Sequence, residues 1–177
     1  MDELLTKLRL VDTMTTELKT SKSEFVVKLK RCVDEDTSGP FSNLRDVFSS
    51  SNNEFKGAVD LNGFKLKRKA KLFDANANSA TARGRFREDR DTLVVTTQIN
   101  GFSKAMIPFY ILILLFYGVF LGVFTQDAGD NMPGFVLPFV VLHGLFMAGI
   151  PYLIMRRGVS KMKYELEREL HYIAAKA

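Results

Sequence analysis

The sequence predicts an α+β membrane protein: a cytosolic antiparallel β-meander with one helix, a two-helix transmembrane hairpin, and a C-terminal amphipathic helix. Three observations predict it. From Ala105 to Met155 the only formal charges are Asp127 and Asp130, whereas the preceding residues are densely charged. From Glu54 to Ile99 apolar residues alternate with polar ones between turn formers, the period of half-buried strands. From Val159 onward, apolar residues recur at three- and four-residue spacings, the period of a helix with one buried stripe. So sharp a change in composition implies two solvents, water for residues 1–103 and lipid for residues 104–156, with residues 157–177 returning to water.

Each apolar run is long enough to cross a bilayer. Residues Ala105–Phe124 and Pro133–Met155 carry no formal charge. At about 1.5 Å per helical residue, each spans a hydrocarbon core of roughly 30 Å. The connector Thr125–Met132 is short and polar, so the two helices should be antiparallel neighbours. Lys104 precedes the first span, Arg156, Arg157, Lys161 and Lys163 follow the second, and the connector carries only acids. The positive-inside bias therefore puts both termini in the cytosol, with Tyr110 and Tyr152 near the cytosolic interface. The first residues include Asp2, Glu3, Lys7, Arg9 and Asp12, which interrupt any apolar secretion signal.

Within the spans, Gly118 and Gly122 form a G-x-x-x-G, and Gly144 with Ala148 gives a small-x-x-x-small. Such surfaces let backbones approach, either within the hairpin or in a homodimer. His143 is the one ionisable side chain inside a span. A neutral imidazole bonded to a backbone carbonyl is the expected state, and a proton relay is the alternative. Pro108, Pro138 and Pro151 start or kink helices, which membrane helices tolerate.

In the soluble part, Ser21-Lys22-Ser23-Glu24 before Phe25-Val26-Val27 reads as a capping box opening a helix to about Val33. Residues 7–18 fit either a strand or a short helix. Asp34–Ser42, with Gly39-Pro40, reads as a loop, and Ser49–Asn53 as a second break. Phe55, Gly57 and Val59 then alternate with polar neighbours, Asn62-Gly63 marks a hairpin, and Asn76–Asn78 and Asp89–Asp91 mark further turns. Thr92–Ile99 is β-branched enough for a last strand.

The alternation sets charge on one face. Lys65, Lys67, Lys69 and Lys71 share a side of one strand, and Arg83, Arg85 and Arg87 share a side of the next. Like charges paired across a ladder repel, so the face is either a solvated one that keeps the domain soluble or one that a counter-anion relieves. Anionic lipid headgroups or an acidic partner would serve; nucleic acid is not expected, because no aromatic residues interleave the cations. Cys32 is the sole cysteine, so no internal disulfide and no cysteine-based metal site is expected. His143 and His171 are too few for a histidine site, and no catalytic motif appears. No cofactor, no metal and no catalytic residue is therefore expected.

At Phe55-Lys56-Gly57-Ala58-Val59 and Phe64-Lys65-Leu66-Lys67-Arg68, with a strand running into a two-span hairpin, the chain resembles a group of small uncharacterised bacterial membrane proteins. Those pair a cytosolic α+β domain, compared with pleckstrin-homology-like folds, with two transmembrane helices. The resemblance implies a bacterial inner membrane and an antiparallel sheet, and it lends no activity. The leading expectation is a membrane-anchored, non-enzymatic interaction module. A small accessory subunit docking through its hairpin is the alternative, and an oligomeric channel or transporter the third reading.

Overall fold

A computed structural model describes residues 2–35, 53–69, 80–90, 92–104, 106–127 and 134–176. The chain divides into two units, Met1–Phe102 with Met155–Ala177, and Ser103–Ile154.

The first unit opens with α1 (Asp2–Lys7), which gives way to β1 (Val11–Leu18), so residues 7–18 are strand after a short helical turn. The N-cap half of the predicted capping box is present, while the Glu24 carboxylate pairs with Lys28 at 2.8 Å. The helix ends at Arg31, two residues before the expected Val33. In α2 (Lys22–Arg31) the Ser21 hydroxyl accepts the Glu24 amide at 3.4 Å, satisfying one of the free N–H groups of the first turn. Then come β2 (Val33–Glu35), β3 (Phe55–Val59), β4 (Gly63–Arg68), β5 (Thr81–Asp89) and β6 (Thr92–Asn100).

These strands form one sheet in the order β1-β6-β5-β4-β3-β2. The meander from β3 to β6 is antiparallel throughout, as the alternation predicts. The two edges differ from the expectation. β1 adds antiparallel to β6, and Asp34, expected in a loop, lies in β2, which runs parallel to β3. A three-residue strand carries no readable period, so its partner alone makes it a strand. The rest of the expected 34–42 loop, the first four residues of the 49–53 break, the 76–78 turn and Lys71 lie outside the described residues.

One face of the sheet holds the core. Leu66, Ala82, Phe86, Leu93, Val95 and Ile99 meet Phe25, Val26 and Leu29 of α2 in a single apolar cluster. That cluster also contains Val159, Met162, Leu166, Leu170 and Ile173, every one at 2% exposure or less. The amphipathic stripe at the C-terminus is thus spent on the sheet domain, which alone could not cover its apolar face. Ionic contacts flank the seam. Arg68 and Glu165, nearly buried, approach to 3.1 Å at an angle poor for a hydrogen bond; Lys163 donates to Asp12 at 2.8 Å. The Lys163 hydrogen bond lowers the Asp12 carboxyl below its ordinary value, against partial burial, which raises it.

Two long apolar helices complete the chain. α3 covers Met106–Asp127 and α4 covers Val136–Ala175. Mean hydropathy over Met106–Val123 is 2.4 with no residue buried, and the most apolar window of α4 reaches 1.9 with 6% buried. Both are long and apolar enough to cross a membrane. The sequence reading places a junction near residues 156 and 157, but α4 runs through it without a break. Arg156-Arg157-Gly158 contains no proline. A lone helical glycine costs only about 1 kcal/mol, which the burial of Val159 and Met162 outweighs.

Candidate anion-binding face

The helix-free face of the sheet is built by register. Thr13, Gln98, Arg83, Lys65 and Ala58 align in one row across five strands. Thr15, Thr96, Arg85 and Gly63 align in the next, and Glu17, Val94 and Arg87 in a third. Side chains alternate strictly between faces. The neighbours Leu66, Ala82, Phe86, Val95 and Ile99 are committed to the core, so Lys65, Arg83, Arg85 and Arg87 must point to solvent, and all four are exposed.

Lys65 faces Arg83 directly across the β4–β5 ladder, so two like charges meet. Arg85 faces Gly63, which offers no side chain. That glycine is required by close approach: a Cβ there would lie 2.1 Å from the Gly84 carbonyl oxygen. A depression of about 670 Å³ lies here, its lining including Lys65, Arg83, Arg85, Thr96, Gln98 and Asn62. Among the described residues, Asp60 is the one acid in that lining. Its Oδ1 accepts the Asn62 and Gly63 amides at 2.7 and 2.9 Å, which holds it to the β3–β4 turn.

Lys67 and Lys69 of the expected set differ from the exposed four. Lys67 is half-buried opposite Thr81 and Lys56. Lys69 lies past the end of β4 and is buried, its ammonium bonded to Asp34, whose other oxygen accepts the Asn53 amide at 2.7 Å. Alternation alone could not reveal this, because the parallel strand β2 that brings Asp34 alongside had no sequence signature. Among the described residues, Lys65, Arg83, Arg85 and Arg87 form no ion pair, and no group of three His, Cys, Asp or Glu side chains could hold a metal ion.

In the second unit, the small residues of the two helices behave differently. An added Cβ at Gly118 or Gly122 would meet nothing within 4 Å, whereas one at Gly144 would touch the Tyr117 ring at 3.5 Å. The Tyr110 hydroxyl donates to the Ala148 carbonyl at 3.3 Å. Tyr110 and Tyr117 lie two helical turns apart on one face of α3, opposite the Gly144/Ala148 pair, so the small residues admit two rings. Among the described residues, His143 has a side chain as its partner and not the expected backbone carbonyl. Its Nδ1 shares a hydrogen bond with the Tyr117 hydroxyl, and Phe139 stacks on the imidazole at 6.1 Å. The seven-residue tyrosine spacing was the available sequence signal for that partner. Tyr117→Phe should weaken the α3–α4 hairpin by about 1 kcal/mol, the usual worth of a hydrogen bond between apolar helices. Detergent-driven unfolding of the reconstituted full chain measures it, and an unchanged midpoint would show that the bond contributes nothing.

Comparison of the chain with protein-family models, curated proteins and solved structures finds no match. The resemblance carried by Phe55–Val59 and Phe64–Arg68 gains no support from those comparisons.

Proposed function

We propose that this chain is a membrane-anchored, non-enzymatic interaction module whose basic sheet face engages an anionic leaflet at the cytosolic surface. The observation that carries it is the exposed quartet Lys65, Arg83, Arg85 and Arg87 on a single face, without ion pairs among the described residues. Sheets solubilised for their own sake intersperse both signs, because neighbouring like charges repel. A surface of fixed negative charge relieves that repulsion, and each basic group near such a leaflet gains about 1 kcal/mol.

Anchorage is supported by what α3 and the first half of α4 expose. Leu112, Leu114, Leu115, Phe116, Phe139, Leu145 and Phe146 are each more than half exposed, an apolar surface that water would not tolerate. With Lys104 before α3 and Arg156 and Arg157 after the second apolar stretch, at the same open end of the hairpin, the positive-inside bias favours the sheet on the cytosolic side. The connection from β6 to α3 takes only residues 101–105.

The test uses the full chain held in a nonionic amphipol, which covers the apolar helices and leaves the sheet open. Flotation with phosphatidylcholine vesicles should show little binding, and added phosphatidylglycerol should recruit the protein. Replacing Lys65, Arg83, Arg85 and Arg87 together by Gln should weaken recruitment by roughly a thousandfold, the product of four such gains. Equal recruitment of the wild-type and the fourfold variant would rule the reading out.

A further inference from the structure

A leaflet attracts every exposed cation on a face, but the geometry of this face is not uniform. Three of its four free cations, Lys65, Arg83 and Arg85, surround one depression, while Arg87 stands a row away beside Val94 and Glu17. Lys65 and Arg83 are direct cross-strand partners, and Arg85 is two residues along the same strand face. Cα separations of about 5 Å across the ladder and about 7 Å along it let three long side chains reach one group of oxygens. Their row neighbours are neutral hydrogen-bonding side chains: Gln98 flanks Arg83, and Thr96 flanks Arg85. The row position facing Arg85 is Gly63, which adds no side chain of its own to the depression. Asp60, whose amide donates to the Gly63 carbonyl at the end of that row, is the acid beside the site, and its carboxylate is held to the turn by two backbone amides.

We infer that this depression is a discrete site for a phosphomonoester, with Arg83 and Arg85 as forked donors, Lys65 as a point charge, and Thr96 and Gln98 completing the hydrogen bonds. The inference rests on the basic-face reading and narrows it to one ligand chemistry. A terminal phosphate carries close to two negative charges and three free oxygens, which matches three converging cations better than the single charge of a phosphodiester. The group could be a lipid headgroup ending in phosphate or a soluble phosphate ester, and the chemistry is shared.

The full chain in nonionic amphipol separates these cases. Inorganic phosphate and glycerol 3-phosphate are titrated by calorimetry, and flotation compares vesicles containing phosphatidic acid with vesicles containing phosphatidylglycerol at matched surface charge. Expected are a saturable site, one per chain, and preferential recruitment to phosphatidic acid. Arg83→Gln and Arg85→Gln should each weaken phosphate binding by roughly tenfold, and Arg87→Gln by less than about twofold, although each removes one charge. Phosphatidic acid vesicles that displace inorganic phosphate identify the lipid as source; soluble esters binding more tightly than the vesicles identify the free ester. Two results overturn the site. One is equal recruitment to both vesicle types with Arg87→Gln as harmful as Arg85→Gln, which leaves the basic-face reading standing. The other is binding to no anionic probe at all, which removes both readings.

Discussion

Leu166→Ala should destabilise the sheet domain by about 3 kcal/mol, a loss near the middle of the range for emptying a fully buried leucine site. Leu166 is 1% exposed and lies in the same apolar cluster as Phe25, Leu66 and Leu93, although a hundred residues separate Leu66 from it. The C-terminal half of α4 is therefore part of the domain that begins at the N-terminus. Urea unfolding of the full chain in micelles measures the change. Tyr164→Ala, two residues earlier on the same helix and 68% exposed, should move the midpoint by no more than about 0.5 kcal/mol. If the tail instead paired with a second copy, the Leu166→Ala loss would grow as protein concentration falls. A deficit independent of concentration is the expected result.

Gly57→Ala is the second large effect. Gly57 faces Leu66 across the β3–β4 pair with φ at +155°, a conformation L-residues rarely adopt. A Cβ built there lies 1.9 Å from the Lys65 carbonyl oxygen, and a backbone atom cannot step aside as the end of a side chain can. Strand separation or local unfolding is the only relief, at a cost of about 3 kcal/mol or more. Because β4 carries Lys65 against Arg83, the same substitution should loosen the anion-binding face. Hydrogen exchange reads this as lost amide protection in β3 and β4. Ala58→Gly, exposed on the opposite face, should cost under about 1 kcal/mol and keep that protection. Equal protection in the two variants would refute the close-approach account.

How far the site could be read in the sequence depended on whether its signal was local. Arg83, Arg85 and Arg87 belong to a strand whose burial alternates from Thr81 to Arg87, so their common face followed from period two alone. Lys65 followed the same rule. Lys69 broke it because its strand ends at Arg68 and its ammonium is bonded to Asp34. Nor does alternation say which residue lies opposite which: register alone sets Lys65 against Arg83 and Gly63 against Arg85.

The sequence by itself determined the two apolar helices, the meander of β3 to β6, the capped helix α2 and the amphipathic character of the tail. Each is written in a repeat or a cap spanning a few consecutive residues, and short-range sterics and burial preference suffice to read it. Only the tertiary structure decided that β1 and β2 close the two edges, that the tail covers the sheet, and that Tyr117 is the partner of His143. Those choices match surfaces far apart in the chain, and which apolar face finds which is set by packing over the whole domain.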